Sequence, residues 1–136
     1  MRKLELSDSL MTGHAVIDAE HDKIVSLINA CLGIIESDEN NDKEISDALL
    51  QLTHEIRRHF KREEKIMEGL GYKNLEKHKE HHDRTLNDFD TIFDILSNGV
   101  LPIEWVIHTI IHSFLSDVVV PDFSVKNYLL EIGYNG

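Results

Sequence analysis

Residues 42–69 read DKEISDALLQLTHEIRRHFKREEKIMEG and carry an apolar stripe whose spacing alternates between four and three residues. The stripe consists of Ile45, Leu49, Leu52, Ile56, His59, Glu63, Ile66 and Leu70, the last of which directly follows the quoted stretch. Such spacing is typical of a helix that packs against neighbouring helices along its whole length. Gly69 and Gly71 are expected to end this helix, because glycine is favoured just after a helix C-terminus.

Three further segments show helical periodicity, at residues 18–37, 74–97 and 102–120. The connections between the four segments are short, which predicts antiparallel neighbours and therefore an all-α, up-down-up-down four-helix bundle. Pro121 is expected to end the fourth helix, because proline lacks an amide proton and clashes with the preceding turn.

The fourth segment is apolar on most sides, so two of its faces compete for the core. One face carries Ile103, Ile107, Ile110, Phe114 and Asp117, and the other carries Trp105, His108, His112, Leu115 and Val119.

A chain of 136 residues fits one domain, expected to span residues 1–136. The predicted arm, bundle and C-terminal extension cover 1–16, 17–120 and 121–136, and a short terminal helix can form at 124–132.

Composition argues against several classes of partner. The formal net charge of −11 gives little positive field for a nucleic acid. The longest apolar stretch, residues 103–120, is interrupted by polar side chains and falls short of the roughly 20 apolar residues of a membrane helix. The N-terminus has no apolar signal-peptide region, and the single cysteine, Cys31, cannot form an internal disulfide. We therefore expect no nucleic-acid binding, no membrane insertion and a cytoplasmic location.

Seven polar side chains interrupt the apolar stripes of the four helices: His21, His59, Glu63, His78, His82, His112 and Asp117. Two carboxylates in an apolar core would each cost several kcal/mol unless they were paired, and no lysine or arginine lies on these stripes. Cations would resolve the problem, because carboxylates can bridge two metals while imidazoles fill the remaining positions. Seven donors exceed the four of a structural zinc site, so the pattern predicts two metal ions. Mixed imidazole and carboxylate donors favour iron over magnesium or calcium.

The donors come in pairs along the chain, with spacings of four, four and five residues: His59 with Glu63, His78 with His82, and His112 with Asp117. Side chains four residues apart point from one face of a helix, so each of the first two pairs can reach one cavity. On the fourth helix His108 is an alternative donor, because it shares a face with His112.

Four stretches in this order resemble the hemerythrins, in particular their single-domain bacterial form. The stretches are TGHAVIDAEHD at residues 12–22, HFKREE at residues 59–64, HKEHH at residues 78–82, and His112 with Asp117. The resemblance covers most of the chain, and its His-x4-Asp spacing favours His112 over His108.

The resemblance implies a non-haem di-iron centre with an oxo or hydroxo bridge that binds dioxygen reversibly. One iron would be held by His78, His82 and His112. The other would be held by His21 and His59, which leaves an open position for dioxygen. Glu63 and Asp117 would bridge both irons, and the apolar pocket would be formed by Ile24, Ile56, Ile110 and Phe114.

The implied function is that of an oxygen-binding protein, which carries, stores or supplies dioxygen and is not an enzyme. Five imidazoles against two carboxylates favour reversible binding over oxygen activation, by analogy with carboxylate-rich di-iron enzymes. One alternative is an oxygen or redox sensor that contacts an unidentified protein partner, and another is a di-iron oxidase or peroxidase.

Overall fold

A computed structural model describes residues 11–37, 42–99 and 102–134. The helices are α1 (Ala15–Ile35), α2 (Asp42–Gly69), α3 (Leu75–Ser97), α4 (Ile103–Phe114) and α5 (Val120–Glu131), with a π-helical turn at Leu115–Val119 between the last two. No strand occurs within the described ranges. Helix α1 packs on α2, α2 on α3, α3 on α4, and α4 on α1. The predicted all-α four-helix bundle is confirmed, while most of the predicted arm, residues 1–10, lies outside the described residues.

The predicted stripe of α2 faces the core of the bundle. Ile45, Leu49 and Leu52 are fully buried, together with apolar side chains from the other helices. Truncating a buried leucine such as Leu52 to alanine typically costs about 2–5 kcal/mol, because a cavity remains where the side chain packed. This apolar part of the bundle holds the four helices in register at the level of the polar side chains.

Helix α2 ends as expected at its glycines, in a backbone motif that positions the next residue. Gly71 adopts a φ of +71°, which favours glycine over residues with a Cβ atom. The Gly71 amide donates to the carbonyl of Glu68 (3.1 Å), and the Tyr72 amide donates to the carbonyl of Met67 (3.0 Å). This is the Schellman arrangement, in which the side chains of Tyr72 and Met67 join one apolar cluster. The turn buries the ring of Tyr72 shortly before α3 begins.

The fourth predicted helix does not end at Pro121, which corrects the prediction. Helix α4, the π-helical turn and α5 follow one another without a break, and together they are called the fourth helix. In the π-helical turn the amide of Val120 donates to the carbonyl of Leu115, five residues back. Helix α5 continues to Glu131 with Pro121 in its first turn, where a missing amide proton is tolerated. The π-helical turn starts a new hydrogen-bond register just before the proline. The predicted boundary at residue 121 therefore falls inside a helix, and the predicted terminal helix at 124–132 is part of α5.

On the fourth helix, the face containing Ile107, Ile110 and Phe114 packs into the core, whereas His108 and His112 are exposed. The stretch Glu104–Glu131 is long enough to cross a membrane, and its most apolar window of 18 residues has a mean hydropathy of 1.2. Half of its most apolar window is buried in the bundle, and core helices of soluble proteins give the same values. The absence of membrane insertion stays a prediction.

Candidate metal centre

Helices α1, α2 and α3 bring five of the seven predicted donors to one place in the bundle. Each of the five is at most 3% exposed: His21, His59, Glu63, His78 and His82. Because α2 and α3 are regular helices, the spacing of four residues aims both members of each pair at the same interior volume.

The carboxylate of Glu63 lies between the two pairs of imidazoles. Its Oε2 atom is 2.9 Å from Nε2 of His59 and 3.7 Å from Nε2 of His21. Its Oε1 atom is 2.5 Å from Nε2 of His78 and 3.2 Å from Nε2 of His82. One oxygen thus faces each pair, which is the arrangement a bridging carboxylate requires.

The second carboxylate of the cluster belongs to Asp122, at the start of α5, and not to Asp117. Asp122 is 2% exposed. Its Oδ2 atom is 2.8 Å from Nε2 of His21, and its Oδ1 atom is 3.0 Å from Nε2 of His78. Asp122 therefore spans the same two imidazole pairs as Glu63.

Several of these close contacts are not directed hydrogen bonds. Oε2 of Glu63 and both carboxylate oxygens of Asp122 are buried without a hydrogen-bond partner, although imidazole nitrogens lie within 3.0 Å. The Nε2 atoms of His21 and His59 are only 3.1 Å apart. Donor atoms that converge while three carboxylate oxygens among them lack a hydrogen-bond partner suit a common cation, because a cation is attracted to every lone pair at once. The residues present thus fit a pair of metal ions.

The pKa values of the cluster show that its buried carboxylates favour positive charge on the groups around them. Burial lowers the pKa of His21, but the adjacent Asp122 and Glu63 carboxylates outweigh burial and raise the pKa to about 10. Burial lowers the pKa of His78 in the same way, but the same two carboxylates outweigh it and raise the pKa to about 9. Burial would raise the pKa of Glu63, yet the surrounding imidazoles hold it well below its usual range. Without a metal, protons on the imidazoles supply the compensating charge.

Two further carboxylates orient imidazoles from outside the cluster. Nδ1 of His59 donates to Oε1 of Glu20 (2.9 Å), and Nδ1 of His82 donates to Oε2 of Glu64 (2.8 Å). Because Nδ1 carries the proton in these bonds, the Nε2 lone pair of each neutral ring points at the cluster. Carboxylates in this position are common around metal-binding histidines and raise their basicity.

Aromatic side chains fix the imidazole planes. Phe60 stacks on His82 with ring centroids 3.8 Å apart, and Phe114 meets His21 edge-on at 6.2 Å. Tyr72 meets His78 edge-on at 6.3 Å. All four predicted pocket residues belong to the buried core: Ile24, Ile56, Ile110 and Phe114. Of these, Phe114 contacts a donor of the cluster directly.

The structure does not bring His112 or Asp117 into the cluster, so the predicted donor set is revised. His112 is exposed and stacks on His108, with ring centroids 5.8 Å apart. Asp117 lies 3.0 Å from Nδ1 of His81 and accepts a hydrogen bond from Nε of Arg84 (3.2 Å). For Asp117 the physical reason is the π-helical turn that contains it, because the turn changes which of the following side chains face inward. His112 precedes the turn and lies on the face of α4 opposite to Ile107, Ile110 and Phe114, which pack into the core.

Sequence reasoning missed Asp122, Glu20 and the contact of Glu64 with His82. Asp122 was assigned to the extension beyond Pro121, yet one signal was available. Four buried residues on either side of the proline keep steps of four, three and four: Val118, Asp122, Val125 and Leu129. For Glu20 and Glu64 the chain offers no signal, because each reaches an imidazole on another helix and resembles an ordinary surface carboxylate.

Comparison with known proteins agrees with this chemistry. The family model of the hemerythrin HHE cation binding domain matches residues 12–115. The matched range contains the donors on α1, α2 and α3 and ends before Asp117 and Asp122. No curated protein and no solved structure matches the chain. The residues therefore form a cation-binding domain whose fourth helix lies partly outside the matched range.

Proposed function

Since this chain belongs to the hemerythrin HHE cation binding domain family, we propose that its buried cluster holds two iron ions and binds dioxygen reversibly. One observation carries the proposal: two buried carboxylates each face both pairs of imidazoles. A site for one ion would leave half of these donors unused. In this role the protein carries, stores or supplies dioxygen and is not an enzyme.

The donors divide evenly between two ions. His21 and His59 would hold one iron, His78 and His82 would hold the other, and the carboxylates of Glu63 and Asp122 would bridge them. Imidazole and carboxylate donors together suit iron. When bound, an iron pair can supply the electrons that dioxygen takes up on binding and returns on release.

The chain's own residues would keep this chemistry reversible. Glu20 and Glu64 hold the imidazoles of His59 and His82 in their binding orientation. Phe114 and Phe60 cover the rings of His21 and His82 and limit the approach of water. A dry surrounding favours reversible binding, because water and protons promote the loss of partly reduced oxygen.

A di-iron oxidase or peroxidase is the second candidate, and one observation favours it. The cluster contains four imidazoles within the described residues and not the predicted five, because His112 faces solvent. This moves the donor set toward the carboxylate-rich composition of oxygen-activating di-iron sites.

The deciding experiment measures iron per chain and the visible spectrum through reduction, exposure to air and removal of oxygen. Reversible binding predicts two irons per chain and charge-transfer bands that appear with oxygen and vanish on its removal. Bound iron that turns permanently ferric in air would favour the oxidase or a redox sensor. Protein that takes up no iron would refute the proposed centre.

A further inference from the structure

A cavity of about 220 Å³ lies between the start of α3 and the start of α5. Its walls include Tyr72, Asn74 and Lys77 on one side and Val120, Pro121 and Ser124 on the other. A water molecule occupies about 30 Å³ of liquid, so the cavity has room for a ligand of a few atoms together with water.

One of the residues that line this cavity is His78, a donor of the cluster. Nε2 of the same ring lies 2.5 Å from Glu63 and 3.0 Å from Asp122. A molecule in the cavity can therefore contact a side chain that itself contacts both shared carboxylates.

The opposite pair of imidazoles does not line this cavity. His21 and His59 are 1% and 2% exposed, and the ring of Phe114 packs against His21. Glu20 closes the outer edge of His59 by accepting a hydrogen bond from its Nδ1 atom. The cavity therefore meets the cluster at the pair that contains His78.

The lining of the cavity is suited to a small polar or anionic ligand. Lys77 carries a positive charge at the wall, and His81 lies beside it. The buried Tyr72 contributes a phenol hydroxyl, which interacts with the side chains of Ser124 and Asn74. These groups can donate hydrogen bonds to a ligand that displaces water.

We infer that a small metal ligand of two or three atoms reaches the cluster through this cavity and binds on the side of His78. The inference rests on the proposed metal centre and does not require that the ligand be dioxygen. It differs from the arrangement implied by the hemerythrin resemblance, in which the open position lies beside His21 and His59. Tyr72 is the residue placed to hydrogen-bond the incoming ligand.

The test uses azide as the probe, with full-length protein loaded with ferric iron. Ser124→Trp fills the cavity from α5 and is expected to weaken azide binding at least about tenfold, as measured from the absorption spectrum. Val120→Trp acts on the same wall from another position and guards against a folding defect in one variant. Phe123→Trp is the matched control, because Phe123 is exposed on α5 and is absent from the lining.

Metal content is measured before azide is added, which separates this inference from the proposed function. Wild-type protein that holds no metal refutes the proposed centre and this inference together. Equal azide affinity in wild type, both cavity variants and the control would overturn the inference while leaving the di-iron proposal intact. Metal-loaded wild type that binds no azide would also overturn it. Weaker azide binding in the two cavity variants at unchanged iron content, with a normal control, supports it.

Discussion

Helix α2 and the fourth helix each contribute one bridging carboxylate, but only the one on α2 follows the predicted spacing. Glu63 lies on an uninterrupted stripe of a regular 28-residue helix. Asp122 lies five residues beyond the predicted Asp117, after a π-helical turn and a proline. The contrast teaches that donor spacing can be interpreted safely only where the backbone remains α-helical.

The π-helical turn changes chemistry as well as geometry. It occupies Leu115–Val119 and directs Asp117 toward Arg84 and His81, while Asp122 becomes buried among the imidazoles. π-Helical turns within α-helices are often found at functional sites. The turn thus leaves the half-buried Asp117 outside the cluster and places the buried Asp122 within it.

The largest expected effect comes from replacing the two aspartates separately. Asp122→Asn removes a charge shared by both imidazole pairs, so we expect iron affinity to fall by more than about 100-fold, beyond the usual effect of an outer residue. Asp117→Asn should leave iron affinity unchanged, because Asp117 contacts only side chains outside the cluster. Iron retained after dialysis against a chelator measures both. The reverse result would restore the donor set predicted from sequence.

A second comparison replaces single histidines on α2 and on α4. His59→Ala should leave the bundle folded and about halve the iron content, because one imidazole pair loses a donor. His112→Ala should retain full iron, since His112 is exposed. His54→Ala is the control on α2, because His54 is also exposed. Loss of iron in His112→Ala would show that the fourth helix supplies an imidazole after all.

A smaller effect is expected at the carboxylates that orient the imidazoles. Glu64→Gln should weaken iron binding by about 10–100-fold, because Nδ1 of His82 loses its charged acceptor. Glu68→Gln, one turn further along α2 and exposed, is the matched control. Equal iron affinities in the two variants would mean that Glu64 does not support His82 in the loaded protein.

The smallest effect concerns how the end of α5 is attached to α2. The hydroxyl of Tyr128 donates to the backbone carbonyl of Leu70 (2.6 Å). Tyr128→Phe should lower the free energy of unfolding by about 1 kcal/mol, the usual value for one hydrogen bond. Denaturant unfolding of the metal-free protein measures this. An unchanged midpoint would mean that water replaces the hydroxyl without loss and that α5 is held by packing alone.

Sequence reasoning was most accurate where the local spacing of residues agreed with their packing in the bundle. The glycines at the end of α2 and the predicted donors His59, Glu63, His78 and His82 lie where regular spacing places them. It failed at Pro121, where a local rule predicted a helix end that the π-helical turn makes unnecessary. It also misplaced His112, because the fourth helix is apolar on several faces and periodicity alone does not select one of them.

The sequence by itself determined the bundle and the presence of a polar, metal-seeking core, because apolar spacing and buried histidines are properties of single helices. Only the tertiary structure decided which fourth-helix carboxylate enters the core and which carboxylates orient the imidazoles from outside. Those choices depend on the rotation of one helix against three others. That rotation is set by packing and by one change of hydrogen-bond register, which residue spacing alone does not encode.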